Sequence, residues 1–440
     1  MKDVVVLILA GGNSDRFWPL PDKNSISFLD KPLVYFSLSQ FRKFGFKNIV
    51  IVVNKTNKLI FTNLKSEFSD LSIELLEQSD LKGMAGAVVS AQKFIKGKKI
   101  LVVNASDVYE DILISSFVNE LKTNPQGVIT GIRQDTYFPG GYLKISGNKV
   151  VQIVEKPSPE EIPSNTVSLV FDYFKSADKL LSAISEVKSI SDDVFEKAIN
   201  LLIKEGMEFK LLPYSGFWGY LKYPWHTLSV MSYFLHKLAG QKIKKAYIHK
   251  SAVINGDVYI ENGAKIMENT KIVGPTYIGT GTIIGQNCLV RESMIGANCV
   301  VGYSSEIARS FIGGNCWFHT NYIGDSVISE NVSMGAGTVL ANYKLDESTI
   351  KSFLIKQKID TGKVKLGSMI GKNVRIGVNC SIMPGIKIGE NSLIGASVIL
   401  DKDLPSNKYC AFTGSNYTIK DNLINLSEKT RGEVRNALKI

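Results

Sequence analysis

The stretch IGKNVRIGVNCSIMPGIKIGENSLIGASVIL, Ile370 to Leu400, repeats itself every six residues. Ile370, Ile376, Ile382, Ile388, Ile394 and Leu400 follow one another at that spacing, and glycine stands after Ile370, Ile376, Ile388 and Ile394. A period of six matches neither the 3.6-residue turn of a helix nor the 3.5-residue repeat of a coiled coil. It fits a left-handed parallel β-helix, in which each six-residue side places one aliphatic side chain inside and turns the corner on a small residue. Working backwards, the same spacing links Ile266, Ile272, Ile278, Ile284 and Val290. Between Asn342 and Lys365 a polar, Lys-rich excursion leaves the repeat, and long excursions from a regular solenoid are commonly functional. Beyond it, Ser427 to Leu438 reads as a polar amphipathic helix that caps the open end, where strand edges are otherwise unpaired.

Upstream the pattern changes to alternating strands and helices. Val4 to Leu9, Asn48 to Val53 and Lys99 to Asn104 read as strands, with helices at Leu33 to Phe44 and Ala85 to Phe94. That alternation predicts a Rossmann-like α/β domain with a mixed, mostly parallel, doubly wound sheet, whose ligand crevice lies beyond the carboxyl ends of the strands. Asp15 to Lys23 and Ala105 to Tyr109 fall there. The expected organisation is an α/β domain over 1–235, a basic linker over 236–247 with Lys242, Lys244 and Lys245, a β-helix over 248–410 and a tail over 411–440.

With 440 residues, 44% hydrophobic and 21% charged, the chain has material for two cores. The formal charge of +11 comes without an aromatic-and-basic RNA signature or a zinc-finger spacing, so it reads as a solvated Lys-rich surface and no nucleic-acid partner is expected. Cys288, Cys299, Cys316, Cys380 and Cys410 form no C-x-x-C pair and read as thiols in a reducing compartment. The apolar run Val4 to Ala10 ends at a glycine pair without a cleavage pattern, and no stretch approaches the roughly 18–20 apolar residues of a membrane span. The expectation is a cytoplasmic protein without a membrane partner.

The first strand runs into Leu9-Ala10-Gly11-Gly12-Asn13-Ser14-Asp15-Arg16-Phe17, a turn in which glycines let backbone amides approach an anion and arginine adds a forked cation. It has company: Lys23, Lys31-Pro32, Gln78, Gly83-Met84-Ala85-Gly86-Ala87, Asp107 and Glu155-Lys156-Pro157 follow in order. This set resembles the sugar-1-phosphate nucleotidyltransferases over roughly residues 4 to 230. The resemblance implies that Leu9, Gly11, Gly12, Arg16 and Lys23 bind the nucleotide, with Arg16 and Lys23 catalytic, and that Gln78 and Gly83 read the base. It further implies that Asp107 binds Mg²⁺, that Gly141 and Glu155 hold the sugar, and that Lys156 holds its phosphate. In-line attack on the α-phosphorus of a nucleoside triphosphate calls for such cations, because the catalysis is mostly charge neutralisation and positioning. Three positions depart from the family pattern: Ser14-Asp15 precedes Arg16 where the family has Gly-Thr, Ser106 precedes Asp107 where the family has glycine, and Trp218-Gly219-Tyr220 stands where Trp-x-Asp often supplies a second metal ligand.

In the repeat region, His319-Thr320-Asn321-Tyr322-Ile323-Gly324-Asp325-Ser326, Gly335-Ala336-Gly337-Thr338 and Ala341-Asn342-Tyr343 resemble the acetyltransferase domain of the bifunctional N-acetylglucosamine-1-phosphate uridyltransferases, over about residues 248 to 405. Acetyl transfer to a sugar amine needs a base, because the amine is mostly protonated near neutral pH; a histidine with pKa ~6.5 suits the task. The resemblance makes His319 that base and groups Asn321, Tyr322, Ala336, Asn342, Tyr343 and Lys351 around it. Tyr322 and Asn342 would meet the amino sugar, Lys351 its phosphate, and Ala336 with its glycines would leave room for acetyl-CoA. Two further family lysines are replaced, by Ala308 beside Arg309 and by Trp317. Sites of this kind form between subunits, which implies a homotrimer.

The leading expectation is therefore a bifunctional enzyme that acetylates an amino-sugar 1-phosphate, glucosamine 1-phosphate first among them, and transfers a nucleotide, UMP first among them, from its triphosphate. Two rivals stay open. One is an acetyltransferase whose N-terminal domain only binds nucleotide sugar as a regulatory module; the other is a nucleotidyltransferase with a structural β-helix.

Overall fold

Val4–Ala10 is apolar at every position and buried along its whole length, and in the computed structural model it forms strand β1 of a nine-stranded sheet. The structure describes residues 1, 3–78, 83–189, 191–354 and 357–411. Contacts divide the chain into two units: Met1–Asn13 with Pro32–Tyr220, and Ser14–Lys31 with the chain from Leu221 onward.

In the first unit β2 (Asn48–Val53), β3 (Ser72–Glu77) and β4 (Lys99–Asn104) run parallel to β1 in the order β3-β2-β1-β4. A strand covered on both faces is apolar throughout, and β1 sends alternate residues to two cores. Val4, Val6, Ile8 and Ala10 join Val34, Leu38 and Phe41 of the helix Leu33–Lys43, while Val5, Leu7 and Leu9 join Ala85, Ala87 and Val88 of the helix Gly83–Ser90. The expected helix Ala85 to Phe94 is two helices, Gly83–Ser90 and Gln92–Ile95, with Ala91 between them. Next come β5 (Asp107–Tyr109), which lies outside the sheet, and β6 (Gly127–Arg133), β7 (Gly141–Ser146), β8 (Lys149–Glu155), β9 (Thr166–Phe174) and β10 (Phe209–Tyr214), which extend it as β4-β9-β6-β10-β8-β7. β9 is antiparallel to β4 and β6, and β7 pairs antiparallel with β8, so the parallel half passes into a mixed half. β11 (Trp218–Tyr220) closes the unit as the antiparallel partner of β5.

The second unit is the left-handed parallel β-helix, with three parallel sheets of eight, nine and eight strands. Ile266, Ile272, Ile278, Ile284 and Val290 are fully buried in one continuous core with Ile370, Ile382 and Ile388, as the six-residue period requires. Asparagines take the left-handed conformation at the corners, where their short polar side chains tolerate positive φ. Four of them, Asn331, Asn373, Asn391 and Asn407, stack into a ladder of side-chain amides at 2.8, 2.9 and 3.1 Å. Across the interruption, the position stacked on Leu340 is Ile382, and the backbone bond from Cys380 to Thr338 Oγ1 spans 42 residues. The excursion itself carries an antiparallel hairpin, Lys351–Leu354 with Gln357–Asp360.

The expected boundary at residue 235 differs from the division by contacts. The helix His226–His236 lies with the β-helix, as does Ser14–Lys31, whose Phe28 sits between Phe234 and Phe311. Lys242–Ile243, expected in the linker, is the first strand of one sheet and pairs with Tyr259 and Ile260. The expected C-terminal helix lies outside the described residues. Among the described residues no helix is long and apolar enough to cross a membrane.

Candidate active sites

The first candidate site is built at the carboxyl end of β1. Gln78 continues from β3, its backbone N–H donating to Val53, and its side chain lies against Gly11, where an added Cβ would be 2.0 Å from Gln78 Oε1. Gln78 Nε2 donates to Gly83 O at 3.1 Å. Gly83, at φ +75°, opens its helix against Asp192, whose Oδ1 lies 2.0 Å from where a Cβ would stand. Gly11, Gln78 and Gly83 are thus brought together, and neither glycine leaves room for a side chain.

A second group forms where β7 and β8 begin and end. Gly141 pairs directly with Glu155, whose Oε2 lies 3.4 Å from a Cβ built on Gly141. Lys156 follows in the left-handed conformation at φ 47°, with Nζ 2.5 Å from Glu155 Oε1. Behind them are two acids that sequence reasoning missed. Asp172 and Glu196 are 1% and 8% exposed, and Asp172 Oδ1 and Glu196 Oε2 have no hydrogen-bond partner among the described residues. Burial, with the charge of Glu196 added, holds the Asp172 carboxyl well above the usual range. Burial and then Glu155 push Glu196 up to about 7. A signal for both exists in the sequence: Asp172 interrupts the apolar run Val170-Phe171-Asp172-Tyr173-Phe174, and Glu196 adjoins Phe195 on a helix whose apolar face is Phe195, Ala198, Ile199 and Leu202.

Asp107 is buried at the start of β5, and the register of the β5–β11 ribbon sets Tyr220 opposite it, Gly219 opposite Val108 and Trp218 opposite Tyr109. Tyr220 joins an aromatic group, with ring centroids 5.0 Å from Trp218 and 5.2 Å from Phe138. In this register the protein offers one carboxylate, and among the described residues no group of three or more His, Cys, Asp or Glu is placed to hold a metal. Such a donor set fits Mg²⁺ that brings its other ligands as water and triphosphate oxygens, not an ion caged by protein alone. Arg16 and Lys23 belong to the second unit: Arg16 is exposed in the turn Asp15–Phe17, and Lys23 N donates to Ser14 Oγ at 3.1 Å.

The β-helix holds the other site. His319 is exposed at the corner that follows Trp317–Phe318. Asn321 braces that corner: Oδ1 accepts from His319 N at 2.7 Å, and Nδ2 donates to Gly335 O and Thr338 O at 2.9 and 3.0 Å. Its amide is therefore committed to backbone. Along the next strand, Tyr322 OH and Asn342 Nδ2 converge over Gly324, 2.7 and 2.5 Å from where a Cβ would stand, so any side chain at 324 would displace both. Burial raises the Tyr322 phenol, with Asp325 adding to the effect. Asn342 Nδ2 donates to Asp325 Oδ2 at 2.5 Å, and Asp325 accepts both forks of Arg309 at 2.7 Å.

Ala336 is exposed at a corner, and Tyr343 forms a backbone bridge to Lys365. Lys351 lies exposed on the hairpin with Asp360 opposite. The cations beside Asp325 are instead Arg309, Lys363 and Lys365, which sequence reasoning left unassigned; with Glu292 and residues of the helix His226–His236 they line a cleft of ≈ 290 Å³. Burial lowers the Lys363 amine, and burial followed by the Arg309 charge lowers Lys365.

Comparison with known proteins matches residues 5–219 to the nucleotidyl transferase family, 244–360 to the GMPPB C-terminal domain and 367–402 to bacterial transferase hexapeptide repeats. The bifunctional sugar-1-phosphate nucleotidylyltransferase/acetyltransferase of Sulfurisphaera tokodaii is 32% identical over 426 residues, covering 90% of this chain and 97% of its own. The bifunctional protein GlmU of Methanococcus maripaludis is 32% identical over 430 residues, and that of Methanocaldococcus jannaschii 29% over 419; each match covers 92% of this chain and 96% of the relative.

Proposed function

The chain belongs to the family of bifunctional sugar-1-phosphate nucleotidylyltransferase/acetyltransferases, and from that premise we propose that it carries both reactions in one polypeptide. The β-helix unit acetylates an amino-sugar 1-phosphate, glucosamine 1-phosphate, from acetyl-CoA. The α/β domain transfers UMP from UTP to the N-acetylated sugar phosphate and releases pyrophosphate.

The observation that carries the acetyl half is the exposed His319 on a braced corner, one short strand away from the chain Tyr322–Asn342–Asp325–Arg309. His319 takes one proton from the sugar ammonium and the freed amine attacks the thioester carbonyl; the tetrahedral intermediate then gives up its second ammonium proton as it expels coenzyme A as thiolate, which takes up that proton. Tyr322 and Asn342 orient the sugar, and the phosphate is met by Arg309, Lys363 and Lys365 together with Lys351. An anion among these lysines offsets the burial that lowers two of them.

In the nucleotidyl half, Gly11 and Gly12 leave backbone amides open to phosphate, Arg16 and Lys23 neutralise it, and Gln78 with Gly83 reads the base. Glu155 and Gly141 hold the sugar and Lys156 its phosphate oxygen, which attacks the α-phosphorus. Mg²⁺, bound through Asp107 and the triphosphate, would neutralise developing charge there.

The exposed apolar residues Trp317 (56%) and Ile399 (69%), on the two sheets that meet at the His319 corner, support a trimer with the acetyl site at subunit contacts. The free cysteines support a reducing, cytoplasmic setting. Purified protein given each amino-sugar 1-phosphate, acetyl-CoA and each nucleoside triphosphate, with products separated by mass, should yield both the acetylated sugar phosphate and the nucleotide sugar. A second reading, acetyl transfer with a nucleotidyl domain that only binds, is favoured by Tyr220 standing opposite Asp107; acetylated product without pyrophosphate under every condition would establish it instead.

A further inference from the structure

The segment Ser14–Lys31 carries Arg16 and Lys23, yet it packs with the β-helix. Three anchors hold it. At its start, Trp18 Nε1 donates to Ser406 Oγ at 3.4 Å and its ring lies 5.0 Å from the ammonium of Lys387. Lys387 is itself fixed: its side chain is 3% exposed, Nζ is 3.2 Å from Asp403 Oδ2 and also donates to Phe353 O, and its backbone N–H donates to Asp403 Oδ1 at 2.8 Å. Near its end, Phe28 is fully buried between the rings of Phe234 and Phe311, at 5.2 and 5.4 Å. Beside it, Tyr277 OH donates to Asp30 Oδ2 at 2.9 Å, backbone N–H groups of Thr280 and Ala297 donate to the same carboxylate, and Leu29 N reaches Met294 Sδ at 3.4 Å.

A surface loop does not need an aromatic sandwich, a cation–π contact on a buried lysine and a carboxylate that accepts from a tyrosine and two corner amides. Together they remove the freedom of a segment whose two cations act only when placed. With Lys23 between the Trp18 and Phe28–Asp30 anchors and Arg16 two residues before Trp18, the anchors restrict where the backbone carries those two side chains.

We propose that Trp18, Phe28 and Asp30, seated on Lys387, Ser406, Phe234, Phe311 and Tyr277, are positioning residues that set Arg16 and Lys23 for nucleotidyl transfer. The inference rests on the reading that these two cations serve nucleotidyl transfer. It gives the β-helix a role beyond acetylation, one in which the repeat array acts as the mount for a segment inserted between Asn13 and Pro32.

The test uses the full-length chain. Tyr277→Phe and Ser406→Ala each delete one hydrogen bond and keep the packing; Trp18→Ala removes ring and bond, and Trp18→Phe restores the ring. Nucleotidyl kcat/KM should fall about three- to tenfold in the first two and about 10- to 100-fold in Trp18→Ala, with partial recovery in Trp18→Phe. Acetyl transfer and the melting temperature should stay at wild-type values in Tyr277→Phe and Ser406→Ala. Amide hydrogen exchange should rise within Ser14–Lys31 and not in the β-helix coils. Arg16→Ala and Lys23→Ala separate the two ideas. If they abolish nucleotidyl transfer while all four anchor variants keep wild-type rates and exchange, the positioning inference is wrong and the cation assignment stands. If Arg16→Ala and Lys23→Ala keep full activity, the cation assignment is wrong and the inference falls with it.

Discussion

Glu196, buried beside Glu155 and Lys156, makes the stability of the α/β domain depend on pH. It faces Glu155, Lys156 and Asp192, with Asp172 behind it, and burial lifts its folded pKa to about 7 from the 4.5 of an ordinary glutamate. The folded chain therefore keeps a proton that the unfolded chain has lost over pH 4.5 to 7, so stability from this group falls as pH rises through that window and is lowest above it. Glu196→Gln, a neutral mimic of the protonated acid, should match wild type at pH 5 and exceed it at pH 8 by roughly 1–3 kcal/mol in urea unfolding. An equal difference at both pH values would remove the protonated carboxyl from the account. Tyr220 makes the second residue-scale prediction. Because it faces Asp107 in the ribbon register, Tyr220→Asp should supply the second carboxylate, raise nucleotidyl transfer and lower the Mg²⁺ concentration needed, whereas Asp107→Asn should remove the activity in either background. Steady-state rates across a Mg²⁺ titration decide it.

At the scale of elements, the β-helix was legible because one side chain in six must be aliphatic to fill each side of a coil, and that constraint prints itself on the sequence. Ile272→Ala, fully buried in the coil core, should cost about 2–5 kcal/mol by denaturant unfolding, and a value near zero would mean that the coil collapses around the gap. The parallel half of the sheet was legible for a similar reason, since a strand covered on both faces is apolar throughout. The mixed half was not resolved strand by strand, because the direction of β9 depends on which edge accepts it and not on its own composition. The packing of Ser14–Lys31 was hidden too. A motif that reads as one turn continuing from Gly11 and Gly12 gives no sign that Phe28 will be held by Phe234 and Phe311, more than 200 residues further on. Of the acetyl constellation, the motif residues Tyr322 and Asn342 are brought into one hydrogen-bonded chain, whereas Lys363 and Lys365 are supplied by an excursion whose path the six-residue period cannot follow.

At the scale of the whole molecule one chain carries two chemistries, and His319 is the residue on which the acetyl half turns. Only four histidines occur, and His319 alone sits on a corner braced by Asn321 beside the Tyr322–Asn342–Asp325–Arg309 chain. If the trimer completes that site, dilution or charge substitution at Trp317 should reduce acetylation in step with the trimer fraction seen by sedimentation, and a fully active monomer would contradict it. The most direct measurement of the central claim is the pair of rates in His319→Ala, acetyl-CoA consumption and pyrophosphate release, taken on the same preparation as the wild type. The account predicts that acetylation falls by about 10² to 10⁴ while pyrophosphate release from pre-acetylated substrate is unchanged; acetylation persisting at the wild-type rate would contradict it.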